Sequence, residues 1–166
     1  MAEETQAPEI PKIWLFPHTQ GWSVIPLEKL GKKPLISWEQ YQVNLASLET
    51  IKGWARFNGN VGVITGALSG IVVLDLDSDE AIAEAKHRGL PENTVVVQTG
   101  RGEHWYFLHP GGTIGNRAGI FAGADLRGDG GYVVAAESVH ETGVIYKYKQ
   151  PPGLFDIAPM PQWLFD

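Results

Sequence analysis

The chain has no cysteine among its 166 residues. That excludes disulfides and thiolate zinc sites, so any metal must be held by oxygen or imidazole ligands. No apolar run approaches the roughly 20 residues that cross a bilayer, and the N-terminus lacks the basic-then-apolar order of a secretory signal. A cytosolic protein is expected. An excess of positive charge is missing too: the formal net charge of −6 argues against indiscriminate coating of nucleic acid, which draws on neutralised phosphates. A local basic groove stays open, because Lys32, Lys33, Lys52, Arg56, Arg101, Arg117, Arg127, Lys147 and Lys149 lie in the body of the chain while Glu3, Glu4 and Glu9 weight its start. Repeats and low-complexity segments are absent.

What remains is an ordinary globule, 43% apolar and 19% charged, of a length that makes one domain with a real core. Met1 to Pro11, acidic and without apolar periodicity, reads as a loose tail, leaving residues 12–166 as the folded unit. The six tryptophans are read mostly as core or loop anchors rather than base-stacking platforms. Ser23 to Leu27 reads as a strand. Ser47 caps a helix over about 48–57, with Leu48, Ile51, Trp54 and Ala55 on one face. Val61 to Thr65 is expected to form a hairpin through Gly66 to Gly70 with the run beginning at Ile71. Ser78 caps a helix from Asp79 to His87 that Gly89 terminates. Thr94 to Thr99, His104 to His109, Gly130 to Ala135 and Val144 to Tyr148 read as further strands, and Pro161 to Phe165 as one helical turn. The order implies an α+β sheet with helices packed mostly to one side.

The run Ile71 Val72 Val73 Leu74 Asp75 Leu76 Asp77 carries the strongest chemical signal. Side chains alternate along a strand, so Asp75 and Asp77 leave the same face. Two like charges there repel unless a proton or a cation lies between them, and a divalent ion is the usual cation. The competing reading is an acidic helix N-terminus, since Ser78, Asp79 and Glu80 follow.

A second alternating set, Asp125, Arg127 and Asp129, leads into Tyr132 Val133 Val134. With Asp125 facing the first pair, three carboxylates would hold two divalent ions about 4 Å apart, the spacing used in nucleotidyl transfer. Asp129 with Gly130 reads rather as a hairpin corner. His104 opens a strand after a loop containing Gly100, Arg101 and Gly102. Glycines let backbone N–H groups approach an anion, and an imidazole with a guanidinium there would grip a triphosphate. An ordinary strand histidine is the alternative. His18, His87, His109 and His140 receive no role, and a turn accounts for Thr65, Gly66, Ser69 and Gly70.

Three blocks together resemble the N-terminal primase-polymerase domain of bifunctional plasmid and phage replication proteins, within the archaeo-eukaryotic primase superfamily. Gly62 Val63 Ile64 Thr65 Gly66 with Gly70 to Asp77 resembles its first motif, Thr99 Gly100 Arg101 Gly102 Glu103 His104 Trp105 its second, and Asp125 Leu126 Arg127 Gly128 Asp129 Gly130 Gly131 its third. Gly21 Trp22, Gly31 Lys32 Lys33 Pro34 and Trp38 also fit. The resemblance implies an RRM-like sheet joined to a smaller α/β unit around an open cleft. It implies Asp75, Asp77 and Asp125 as ligands of two Mg2+ or Mn2+ ions, and no zinc. His104, Arg101, Arg127, Gly102 and Thr99 would contact the nucleotide.

The implied activity is priming and extension on a single-stranded DNA template from dNTP or NTP, in a bacterial or archaeal host. A linked or separate helicase is the implied partner, because relatives continue into one where this chain stops. Gly102 stands where relatives carry a small hydroxyl residue, a contact that Thr99 is expected to supply. Pro11 and Pro17 are expected to interrupt the N-terminal helix, which favours extension over de novo priming. A catalytically silent module that binds nucleotide or single-stranded DNA is the competing function. A rolling-circle nuclease is disfavoured, because it wants a His-x-His pair and only His104 is available.

Overall fold

The computed structural model describes residues 9–165. Most of the expected tail, residues 1–8, lies outside the described residues, and Glu9 to Pro11 carries no helix or strand. The fold is α+β. Three α-helices, α1 (Lys12–Thr19), α2 (Leu48–Ala55) and α3 (Asp79–Arg88), accompany ten strands. The strands are β1 (Ser23–Leu27), β2 (Asn60–Ile64), β3 (Ile71–Leu76), β4 (Val96–Gln98), β5 (Glu103–Leu108), β6 (Arg117–Phe121), β7 (Ala124–Arg127), β8 (Tyr132–Val134), β9 (Lys147–Gln150) and β10 (Ala158–Pro159). Among the described residues no helix is long and apolar enough to cross a membrane.

The strands divide into a three-stranded sheet, β1-β2-β8, and a seven-stranded sheet, β6-β7-β3-β5-β4-β9, with β10 beside β5. The expected hairpin between Val61 and Asp77 does not form. After Ile64 the chain makes one bridge, Gly66 to Ile71, and crosses from the small sheet into the large one. There β3 pairs antiparallel with β5 on one side and β7 on the other. A strand flanked by two neighbours and covered on both faces must be apolar throughout, which explains why its sequence runs unbroken until Asp75.

Each face of β3 feeds a separate core. Ile71 and Val73 join Val97, Tyr106 and the residues of the small sheet, together with Trp14 of α1 and Ile51 of α2. Val72, Leu74 and Leu76 pack with Ala81 and Ala85 of α3, Trp105 and Phe107. The helices therefore lie on both sides of the large sheet, contrary to the one-sided arrangement expected. Each fully buried aliphatic side chain in these layers contributes about 1.5–3 kcal/mol, and the six tryptophans are all buried in or packed against one core or the other.

The expected caps hold: Ser47 Oγ accepts the Thr50 N–H at 3.1 Å and Ser78 Oγ accepts the Ala81 N–H at 3.0 Å. The expected interruption of the first helix does not. Helix α1 forms with Pro17 inside it: Pro17 lacks the N–H that would bond back within the helix, and burial of Trp14 and Pro17 offsets that loss.

Candidate active site

Register places the sequence-predicted residues side by side. Asp75 on β3 lies directly opposite Asp125 on β7 and directly opposite His104 on β5. Directly opposed residues project from the same face of a sheet. Asp125, Asp75 and His104 thus form one row across three strands, on the face that looks toward the small sheet, and Arg127 follows two residues after Asp125 on that face. The apolar filling between the layers ends at this row. Beyond it opens a cavity of about 450 Å3 whose walls include Asp75, Asp77, Thr99, Arg101, His104 and Tyr146. A second lobe of about 210 Å3 holds Arg127, Asn116 and Tyr132, and shares Lys32, Asp75, His104 and Tyr146 with the first.

The electrostatics are those of an incompletely neutralised acidic pair. Burial alone would raise the Asp75 carboxyl, but a hydrogen bond and charge from His104, a hydrogen bond with Asp77 and the charge of Lys32 leave it below the ordinary carboxylate value. His104 Nε2 lies 3.5 Å from Asp75 Oδ1, while its Nδ1 is buried and has no partner among the described residues. Burial, and then the charge and hydrogen bond of Asp75, push Asp77 up, with Asp125 adding to the rise and Lys32 opposing it. One carboxyl lowered and its neighbour raised is the pattern that repulsion between two adjacent carboxylates produces.

Asp125 is held in place from two sides. Its Oδ1 accepts the Gly119 N–H at 2.8 Å and its Oδ2 accepts from Arg127 Nη2 at 3.3 Å. Among the described residues no three His, Asp or Glu side chains are drawn together closely enough to hold a metal ion as they stand. The donor chemistry nonetheless fits a hard divalent cation: Asp75, Asp77 and Asp125 offer only oxygens, and the repulsion that raises Asp77 is what such a cation would relieve.

The glycine loop before His104 is seated differently from the expectation that its backbone would cradle an anion. Gly102 donates its N–H to Thr99 Oγ1 at 2.9 Å, so that donor is spent. A Cβ on Gly102 would collide with the Leu76 carbonyl oxygen. A side chain is excluded because this loop packs directly on the strand end that bears Asp77, which accounts for glycine in place of a hydroxyl residue. Thr99 uses its oxygen as an acceptor and lines the cavity, leaving its own O–H proton to donate. Arg101 stands at the rim, well exposed, with Glu141 Oε1 3.7 Å away.

Asp129 falls outside the row. Its Oδ1 accepts the Ala67 N–H at 3.0 Å and lies 3.0 Å from His109 Nε2, and its Oδ2 accepts the Ile114 N–H at 2.8 Å. It clamps three loops together, more than the hairpin corner expected. His109, assigned no role from sequence, is its partner and takes the Gly111 N–H on Nδ1 at 3.1 Å.

Sequence reasoning missed Lys32, His140 and Tyr146. Lys32 comes from the loop after β1, His140 from the segment between β8 and β9 and Tyr146 from the residue before β9, and no local pattern marks Tyr146 or His140 as a cavity residue. The signal for Lys32 was present in Gly31 Lys32 Lys33 Pro34, whose lysines were read only as members of a candidate basic groove and as part of a resemblance.

No curated protein matches the chain. Residues 16–163 match the family model of the bifunctional DNA primase/polymerase N-terminal domain, Prim-Pol. That span takes in the row on β3, β5 and β7, both lobes of the cavity and nearly all of the chain, which therefore belongs to the Prim-Pol family.

Proposed function

We propose that residues 12–166 form a template-directed nucleotidyltransferase that primes and extends DNA on a single strand. The family is of the nucleotidyltransferase type, with DNA and nucleotides as substrates. The observation that carries the finer reading is the register that sets Asp125, Asp75 and His104 in one row, of which Asp75 and His104 line the cavity. In this reading the cavity belongs to an open cleft between an RRM-like sheet and a smaller unit.

Asp75, Asp77 and Asp125 would hold two Mg2+ or Mn2+ ions, which when bound supply charge neutralisation at the attacking and leaving oxygens. The chain's own residues do the rest. His104 presents an imidazole N–H to a phosphate oxygen, with Arg127 as a second contact in the smaller lobe and Arg101 at the rim of the larger. Lys32 faces them from the opposite layer and balances the carboxylates until a nucleotide arrives. The Thr99 hydroxyl supplies the hydrogen bond that Gly102 cannot. Charge-assisted donors fixed in advance around a developing negative charge are the strongest means a protein has of lowering such a barrier. Arg127 also restrains Asp125, so its loss would disturb ligand and nucleotide together.

The working context of this reading is plasmid or phage replication in a bacterial or archaeal cytoplasm, beside a replicative helicase that exposes the template. The test is primer extension on a single-stranded template with Mg2+ or Mn2+, run with dNTPs and with NTPs. Extension by the wild-type chain that disappears in Asp75→Ala, with an unchanged circular dichroism spectrum, supports the reading. Equal extension by both sinks it.

A second reading has one observation in its favour: no preassembled three-residue metal cluster exists among the described residues. A silent module would bind nucleotide or single-stranded DNA at the same cavity and extend nothing. Nucleotide binding by calorimetry without any extension would establish it.

A further inference from the structure

We propose that Tyr146 reads the sugar of the bound nucleotide, its hydroxyl forming a hydrogen bond to a ribose hydroxyl. The inference rests on the nucleotide site described above and adds a specificity-determining residue to it.

Tyr146 is only 3% exposed, yet it lines both lobes of the cavity. Its ring stands between two imidazoles, with centroids 6.1 Å from His104 and 6.0 Å from His140. Those neighbours fix the ring's position. His140 is fixed in turn, because its Nδ1 accepts the Thr142 N–H at 3.2 Å and a Cβ at Gly100 would run into its ring. The backbone around Tyr146 is tied by its N–H to the Ser138 carbonyl at 2.8 Å and by its carbonyl to the Glu137 N–H. The hydroxyl opens onto the cavity that the ring lines, and among the described residues no protein group takes a hydrogen bond from it or gives one to it. It is a donor aimed into a cavity and unspent on protein.

Position and charge indicate which part of a nucleotide it meets. Four residues are common to both lobes, Lys32, Asp75, His104 and Tyr146. The reacting phosphate belongs at that junction, beside Asp75. Lys32 and His104 carry or can carry positive charge and suit the phosphate oxygens. Tyr146 does not suit them. Burial, and then the negative field of Asp75, Glu141 and Asp77, pushes its hydroxyl up to about 12, so it is a neutral donor among carboxylates. The group joined directly to the reacting phosphate is the sugar, which is neutral and carries hydroxyls. A rigid neutral phenol at the junction is complementary to that group and to no other part of the nucleotide so near Asp75. When a nucleotide displaces cavity water, an unpaired phenol would be left without a bond unless the sugar replaces it.

The test compares three ligands on two proteins, by calorimetric titration of the full chain with Mn2+ present and no primer. The ligands are a ribonucleoside triphosphate, the 2'-deoxy form and the 2',3'-dideoxy form of the same base. In the wild-type chain, loss of the hydroxyl that Tyr146 contacts should weaken binding roughly three- to tenfold. In Tyr146→Phe that step should vanish, while the dideoxy form binds both proteins alike. If Tyr146→Phe weakens all three ligands by one common factor, or changes none, the proposal is overturned. Tyr146→Leu, which removes the ring, checks the same steps if the Phe variant rearranges the histidines. Because binding is read without turnover, a chain that binds nucleotide but extends nothing leaves this test intact and defeats only the catalytic reading.

Discussion

Two carboxylate–histidine pairs lie among the described residues, and they differ in how completely they are satisfied. Asp129 with His109 is finished: both carboxylate oxygens take backbone N–H groups, and His109 spends its second nitrogen on Gly111. Burial would raise the Asp129 carboxyl, but the Ile114 N–H, His109 and the Ala67 N–H hold it below the ordinary value. Asp75 with His104 is unfinished. It shares its space with a second carboxylate that is pushed above its ordinary value, and among the described residues His104 Nδ1 has no partner. Residue types alone do not separate the two pairs. A satisfied pair holds the fold together, and an unsatisfied pair in a cavity wall is arranged for something the chain does not itself provide.

The largest effect expected from that difference is on catalysis. Asp75→Ala should lower primer extension by about a thousandfold or more with little change in melting temperature, because it also removes a repulsion. Asp129→Ala should do the reverse, lowering stability by about 2 kcal/mol in urea titration as three hydrogen bonds are lost, while the folded fraction keeps its extension rate. If Asp129→Ala abolishes extension in fully folded protein, the division between the pairs fails.

Next in size is Gly102→Ser, which would place at this position the small hydroxyl residue that the resemblance leads one to expect. The side chain would meet the Leu76 carbonyl, so a loss of about 3 kcal/mol is expected, read as a lowered denaturation midpoint. A Gly102→Ser variant that is stable and extends faster would show that the loop moves freely off the strand.

The smallest effect is on pH dependence, where the pairs should have opposite signs. Asp129 has a folded-state pKa below its ordinary 3.8. It therefore adds stability that is fully present above the unfolded value and is lost as pH falls through the folded one. Asp77 has a folded-state pKa above 3.8, so its ionisation costs stability at neutral pH. That cost disappears as pH falls through the raised value toward the unfolded one. Melting temperatures from pH 7 to pH 3 should show Asp77→Asn more stable than wild type at neutral pH, and Asp129→Asn less stable. Both differences should shrink in acid. Two differences of the same sign would contradict the contrast.

What the sequence disclosed follows from how local each signal is. The β3 run and its two carboxylates were legible because a strand covered on both faces cannot hide its pattern. Ser47 and Ser78 were legible as caps because capping acts within one turn. Strand β6 went unseen: it is half exposed, carries Gly119, and shifts register against β7, so no alternation marks it, whereas the alternation of Asp125 and Arg127 did mark β7. The supposed hairpin failed because a glycine turn specifies a reversal of the chain and not which sheet the second strand joins. Pro17 misled because local propensity weighs little once Trp14 is buried. Asp125 could be proposed but not located from sequence, since its place depends on β3 and β7 lying in register. Lys32 reaches the cavity from the loop after β1 and Tyr146 from the residue before β9, a pairing that no spacing encodes.

The most direct measurement is Mn2+ binding in the presence of a nucleoside triphosphate, followed by electron paramagnetic resonance on wild-type chain, Asp125→Asn and Asp129→Asn. The row across β7, β3 and β5 predicts tight binding by the wild type, a loss of at least about tenfold in affinity in Asp125→Asn, and wild-type binding in folded Asp129→Asn. Equal Mn2+ affinity in wild type and Asp125→Asn would contradict it, because the carboxylate opposite Asp75 would then have no part in holding the ions.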